Sequence, residues 1–439
     1  MEKNPLKLHA EPIQFGTDGW RGVLGVDVTL ERLLLVAAAA ARELVKRAPK
    51  YIKGRIVIIG YDRRFLAPEL AEAIASAVRG CDLEPLLTTT SVPTPACSWA
   101  VVQRQALGAL VITASHNPPE WLGLKIKGPL GGSVEGDFTK AVEQRLAMGG
   151  ITSPIKAVTQ RFDGRQEHLE GLRKKTEIPE LLKGLEAMGL KVIVDPMHGS
   201  ASGYMGELLG EGSKSFFEEI RSERDPLFGG NPPEPLAPYL NQLIQAVKTS
   251  ALKGQPALGL VFDGDGDRIA AVDEKGRFCS TQLLMPLLID HLARVKELPG
   301  CIIKTVSGSD LMRLVAEDLG REVIELPVGF KHIASKMLSK DVLIGGEESG
   351  GIGFGSHLPE RDALYASLLL LEALADGGQP LGERLDSLQG RFGASHFERI
   401  DVRLKNLEIR HRLEAFLQSN PPTSIAGKPI TDVINTDGI

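Results

Sequence analysis

The sequence predicts an α/β protein built from three related units. Short apolar runs are each followed by a segment with helical spacing, and this pattern restarts about every 110 to 140 residues. Apolar strands without strict alternation belong to sheets covered on both faces. A length of 439 residues points the same way, toward roughly three domains.

In the first unit RIVIIGYD (55–62) reads as a strand stopped by Gly and Asp, and PELAEAIASAV (68–78) as a helix with proline in its first turn. LGALVITAS (107–115) is a second strand. KVIVDPMHGSASG (191–203) restarts the pattern, with GYMGELLG (203–210) as its helix. ALGLVFDGDGD (257–267) and CIIKTVSGSDLMRLVAEDLG (301–320) open the third unit, and DVLIGGEESGG (341–351) runs from a strand into a glycine-rich loop. The expected units are 10–155, 156–255 and 256–390. The remainder, 391–439, is thin for an independent domain. In it HFERIDVRL (396–404) alternates like a strand, NLEIRHRLEAFLQ (406–418) like a helix and KPITDVINTDGI (428–439) like another strand.

Composition narrows the function. A net charge of −5 argues against non-specific nucleic-acid binding, which needs a basic footprint. The apolar runs at 33–41 and 368–371 are far shorter than the ~20 residues that span a bilayer, so they read as buried helices and no membrane partner is expected. Four cysteines without a C-x-x-C pair form no disulfide framework. With no apolar segment in MEKNPLKLHAEP, they suit a reducing, cytoplasmic setting.

In an open α/β sheet, ligands sit at the carboxyl ends of strands. The loops expected there are 113–118, 263–268, 328–332 and 346–351, and FGTDGWRG (15–22) precedes the first long helix. In DGDGDR, Asp263, Asp265 and Asp267 alternate with glycine directly after an apolar strand. Carboxylates this close repel, and a hard cation is the natural compensation. A solvated acidic turn is the plain alternative. An EF-hand would place Arg268 where that loop needs glycine, and a phosphatase would use Asp263 as its nucleophile.

TASHNPP surrounds Ser115 with turn residues but no G-x-S-x-G, so a nucleophile elbow is not indicated. The setting suits either a turn-capping serine or a phosphorylated one whose charge a nearby metal balances. Glu347 and Ser349 in GEESGG could accept and donate hydrogen bonds to paired sugar hydroxyls. Lys331 and Arg21 are cations suited to phosphate, although either alone reads equally as a surface residue. His198 and His332 show no metal-ligand spacing and read as structural.

FGTDGWRG, TASHNPPEWLGLKIK, DGDGDR, GFK and GEESGG, in this order and with DPLFGGNPPEP (225–235), resemble the α-D-phosphohexomutase superfamily of phosphoglucomutases and phosphomannomutases. The resemblance implies three related α/β domains with mixed sheets and a partial, smaller C-terminal α+β domain around a central cleft. It implies an intramolecular phosphotransferase that interconverts glucose 1-phosphate and glucose 6-phosphate, or else the mannose or glucosamine phosphates. Ser115 would carry the transferable phosphoryl group. Asp263, Asp265 and Asp267, with the phosphate on Ser115, would hold Mg²⁺. Arg21 and Lys125 would flank it, with Lys125 as general base. Glu347 and Ser349 would grip the sugar, and Lys331 and Arg268 would place it. Glucose 1,6-bisphosphate would be intermediate and activator.

Two departures stand out. Leu122 replaces a frequent asparagine, and the fourth-domain loop of the type Arg-Pro-Ser-Gly-Thr-Glu-Pro is not found in the sequence. The second gives the expectation of weakened turnover, or of an impaired sugar-phosphate-binding protein.

Overall fold

The structure is a computed structural model that describes residues 10–149, 153–397, 400 and 407–433. Its first sheet contains Trp20–Val23 (β1), Ile56–Tyr61 (β2), Glu84–Thr88 (β3), Gly108–Ile112 (β4), Trp121–Lys127 (β5) and Gln160–Phe162 (β6), in the order β1-β5-β4-β2-β3-β6. The second contains Lys191–Asp195 (β7), Phe217–Glu219 (β8), Ala257–Phe262 (β9), Ile269–Val272 (β10) and Phe278–Cys279 (β11), in the order β11-β10-β9-β7-β8. The third contains Cys301–Thr305 (β12), Val323–Leu326 (β13), Val342–Gly346 (β14) and Ile352–Phe354 (β15), in the order β13-β12-β14-β15. All three sheets are mixed. Ser424–Ile425 (β16) and Lys428–Pro429 (β17) form a small hairpin after the helix Leu407–Ser419.

One device recurs in each large sheet. A fully buried strand lies parallel to one neighbour, ends in a loop and returns as an antiparallel partner. β4 is parallel to β2 and returns as β5, with Ile112 opposite Leu124. β9 is parallel to β7 and returns as β10, with Phe262 opposite Ile269. β14 is parallel to β12 and returns as β15, with Gly346 opposite Ile352. The loops at these reversals are 113–120, 263–268 and 347–351, the segments whose chemistry the sequence singled out.

The expected third unit, 256–390, assigned β9 and the DGDGD loop to the third sheet. The structure corrects this. Ala257 to Val261 pair with Lys191 to Asp195, so β9 completes the second sheet and the acidic loop sits at its end. An apolar run looks the same to sequence whichever neighbour it will bond to.

The run 33–41 lies in the helix Leu30–Lys46 and is largely buried, and 368–371 lies buried in the helix Ala363–Gly377. The first helix is capped by the Thr29 side chain, and the second by Asp362, whose carboxylate accepts from Leu364 and Tyr365 N–H. Among the described residues no helix is long and apolar enough to cross a membrane. One continuous apolar core serves the second and third units, from Leu169 to Leu388, while the first unit keeps its own. Leu122 is fully buried in that first core. All four cysteines are free. The strand expected at 396–404 lies mostly outside the described residues; of the one expected at 428–439, only Lys428–Pro429 forms strand among the described residues, and 434–439 lie outside them.

The first three units also meet at a buried polar knot. Asp362 Oδ2 accepts from His168 Nε2 and His357 Nε2, each at 2.8 Å, and Trp99 stacks on His357 with ring centroids 5.6 Å apart. The Asp362 carboxylate is thereby satisfied on both oxygens, by two imidazoles and two backbone N–H groups.

Candidate active site

Ser115 sits at the reversal between β4 and β5 with φ of +52°, a left-handed conformation that a non-glycine residue adopts only when its surroundings hold it there. Its N–H donates to Thr113 Oγ1 at 2.8 Å, and Thr113 Oγ1 donates to Asp62 Oδ2 at 2.6 Å. The Ser115 hydroxyl donates to Asp263 Oδ2 at 2.8 Å. The turn and the acidic loop, from different sheets, are therefore in direct contact. Ser115 and Asp263 are both buried at this contact.

Asp263, Asp265 and Asp267 are all fully buried, and their ligand atoms lie within 4.8 Å of one another. Burial first, then the charges of Asp267 and Asp265, pushes the Asp263 carboxyl well above the carboxylate range. Burial would raise Asp265 too, but Lys125 and Thr94 hold it below that range. Asp265 Oδ1 and Asp267 Oδ1 are buried without a hydrogen-bond partner. Two orphaned carboxylate oxygens in an all-oxygen donor set fit a hard divalent cation such as Mg²⁺. The EF-hand alternative fails on backbone, since residues 269–272 form strand β10 and Glu274 caps Gly382 N–H at 2.8 Å.

Lys125 lies inside the acidic cluster. Its Nζ lies 2.8 Å from Asp18, 2.7 Å from Asp265 and 2.6 Å from Asp267, and the side chain is 1% exposed. Burial would lower its pKa, but these three carboxylates raise it, so it stays an ammonium. The ammonium thus sits as a positive charge among the carboxylates of the acidic loop and Asp18.

Two residues that sequence reasoning did not single out complete the network. Asp18 contacts Lys125, Lys127 at 3.3 Å and the Arg361 guanidinium. Burial works against its charge, yet these cations and Arg21 keep its pKa well below the usual value. Arg361 also donates to Asp267 at 2.8 Å and lies 3.6 Å from Glu347. Asp18 was visible inside FGTDGWRG. Arg361 follows the sequence LPE, away from every glycine-rich loop, and carried no local signal.

A cleft of about 250 Å³ opens beside the acidic loop, and its walls include Arg21, Arg268, His116, Glu347, Glu348 and Ser349. It gathers four of the five residues expected to meet phosphate or sugar. Arg21 Nη1 donates to Asn117 Oδ1 at 2.9 Å, which points its guanidinium along the serine turn. Glu347 Oε1 accepts the N–H of Gly329 at 2.9 Å, and burial raises the carboxyl's pKa against the pull of Arg361 and Arg268. His116, next to Ser115, is kept neutral by burial and by Arg268 and Arg21. Lys331 is the exception. It lines two neighbouring hollows, one of which shares Thr17 and Asp18 with the cleft, rather than the cleft itself. The helix Phe330–Met337 begins one residue before it and turns its side chain aside.

Three family domains match the chain in sequence. These are the phosphoglucomutase/phosphomannomutase α/β/α domain I over residues 12–150, domain II over 166–276 and domain III over 281–392. The chain belongs to the phosphoglucomutase/phosphomannomutase family. It is 29% identical to a phosphoglucomutase/phosphomannomutase of Thermococcus kodakarensis, across 85% of this chain and 80% of that one. It is 30% identical to a phosphoglucosamine mutase of Parafrankia, across 84% and 81%. A crystal structure assigned to the phosphomannomutases, from Thermus thermophilus, superposes with a TM-score of 0.79 at 33% identity, covering 88% of this chain and 85% of that one. As a member of this family of α-D-phosphohexomutases, the chain is an intramolecular phosphotransferase, an isomerase.

Proposed function

We propose that this phosphohexomutase interconverts glucose 1-phosphate and glucose 6-phosphate through a phosphorylated Ser115 and a glucose 1,6-bisphosphate intermediate. The observation that carries the reading is the 2.8 Å contact between the Ser115 hydroxyl and Asp263, beside carboxylate oxygens that lack partners. A phosphoryl group on Ser115 would enter a pocket prepared for a cation.

Phosphoryl transfer asks a protein mainly for in-line positioning and charge compensation. Asp263, Asp265 and Asp267, with a phosphoryl oxygen on Ser115, would hold Mg²⁺, which when bound neutralises charge on the transferring group. Lys125 and Arg361 keep the surrounding carboxylates in place, and Arg21 and Arg268 present positive charge to the cleft. The bond from phosphorus to Ser115 Oγ breaks as the bond to the sugar O6 forms. The proton lost by the sugar hydroxyl is balanced by the one regained at Ser115 Oγ. After the bisphosphate turns end over end, its O1 phosphoryl group returns to Ser115. Glu347 and Ser349 suit this reorientation because hydroxyls near the middle of the ring can be held in either orientation.

Mannose and glucosamine phosphates are the second reading, favoured by the names of the similar proteins. These sugars differ from glucose at C2, and a carboxylate gripping other hydroxyls does not separate them. Peptide mapping after incubation with glucose 1,6-bisphosphate is expected to place phosphate on Ser115, and Ser115→Ala to lose turnover by several orders of magnitude while staying folded. Phosphate on an aspartate, or near-normal turnover in the alanine variant, would overturn the mechanism. Turnover of the glucose, mannose and glucosamine 1-phosphates side by side decides between the sugars.

A further inference from the structure

The stretch DPLFGGNPPEP, 225–235, belongs to no sheet and contributes nothing to the walls of the cleft. It is nevertheless folded tightly. The Asp225 carboxylate accepts from Leu227 N–H and Gly229 N–H, each at 2.9 Å. This turn holds Phe228 at φ of +51° with its side chain buried.

Phe228 lies beneath the guanidinium of Arg64, 4.9 Å from carbon to ring centroid, and Arg224 Nη2 donates to the Arg64 carbonyl at 3.2 Å. Arg64 is 1% exposed. Its Nη2 donates to Ser115 O at 2.7 Å and Asn117 O at 2.6 Å, and its Nη1 to Pro118 O at 2.7 Å and Trp121 O at 3.0 Å. Its Nε faces Asp62 at 3.3 Å. Three of these carbonyls belong to the turn that carries Ser115, and the fourth, of Trp121, opens the returning strand β5. Such a bundle needs the fixed fork of arginine, because a lysine ammonium has fewer donors and no plane to lie on the ring. Farther along the same stretch, Pro233 O accepts from Gly264 N–H in the acidic loop at 3.2 Å. One segment of the second unit thus touches both the support of the serine turn and the metal loop.

We propose that Arg64 is a positioning residue for phosphoryl transfer, and that the stretch 225–235 sets its place through Phe228. This rests on the phosphoserine reading above. The strained Ser115 backbone is held by the guanidinium, and the guanidinium is held by a ring from another unit. The aim of the hydroxyl therefore depends on how the first and second units are docked.

Phe228→Ala is the decisive variant, because it removes the ring and leaves every hydrogen bond of Arg64 available. Arg64→Lys is the companion, retaining the charge but not the fork. In the full chain with Mg²⁺, each is expected to keep its circular dichroism spectrum and to lower kcat by about tenfold or more, since small misplacements of reacting atoms are costly. KM for the hexose phosphate is expected to change by less than about twofold. Unchanged kcat in folded Phe228→Ala, or a raised KM with unchanged kcat, overturns the proposal. Amide hydrogen exchange needs no substrate and reads the same device directly. Ser115 and Asn117 N–H are expected to exchange faster in Phe228→Ala, and unaltered protection there overturns the proposal. Absence of phosphate on Ser115 of the unaltered chain after incubation with glucose 1,6-bisphosphate would instead refute the phosphoserine reading, so the two failures are distinguishable.

Discussion

The carbonyl oxygen of Ser115 lies so close to Gly264 that a Cβ at residue 264 would stand 2.6 Å from it. Pro233 would crowd the same atom at 2.9 Å. The first glycine of DGDGD is thus required by the approach of another loop. The second, Gly266, is required by its φ of +67°.

Gly264→Ala follows from that contact. The clashing oxygen belongs to backbone and cannot swing aside, so the serine turn and the acidic loop must separate. Mg²⁺ affinity and mutase turnover are both expected to fall by about tenfold or more, with the fold retained. Calorimetric titration with Mg²⁺ and a steady-state assay check this. Full retention of both would show that the loops can shift without loss.

Asp265→Asn removes one of the carboxylates and the orphaned Oδ1 charge beside it. Mg²⁺ binding is expected to weaken by at least about tenfold. Ca²⁺ is expected to enter the unaltered site but to support poor turnover, because its looser geometry places phosphoryl oxygens badly. An Asn variant with the same Mg²⁺ dependence as the parent would remove Asp265 from the ligand set.

Glu347→Gln retains an oxygen for the Gly329 N–H but loses the charge that a sugar hydroxyl would meet. A charge-assisted hydrogen bond is worth roughly 1.5–3 kcal/mol, so kcat/KM is expected to fall by at least about tenfold. Mg²⁺ affinity is expected to stay unchanged, since Glu347 is linked to Asp267 through Arg361 rather than by direct contact. Equal losses in both would place Glu347 at the metal.

Asp62 gives a pH signature. Burial raises its carboxyl from the ordinary 3.8 to about 6, against the opposing pull of Arg64 and Thr113. Between those values the folded protein keeps a proton that the unfolded chain has released. The contribution of Asp62 to stability is therefore full below about pH 4 and is lost as pH rises through about 6, a change of up to about 3 kcal/mol. Asp62→Asn cannot titrate. The difference in unfolding free energy between parent and variant is expected to fall across this window and to stay flat above it, which urea unfolding at a series of pH values measures. A flat difference throughout would mean that Asp62 titrates alike in both states.

Much of the site was legible because its parts are local. Three carboxylates within five residues repel wherever the loop lies, and a serine between an apolar strand and two prolines must sit at a turn. The strand-and-helix order of the units follows equally from local runs of apolar residues and their breakers. What those runs do not carry is the identity of the neighbour. β9 joined the second sheet and not the third because its hydrogen bonds found β7, and an apolar face accepts either partner. Lys125 became a held ammonium because the pairing of β1 with β5 set Asp18 beside it and docking brought Asp267 from 142 residues away. Arg361 entered the site by the same docking, and Lys331 was turned aside by the helix that begins at Phe330. Sequence by itself determined which chemical groups the loops would offer. Tertiary structure decided which of them meet, because the energy of a buried charge is set by the partners brought within a few ångströms of it.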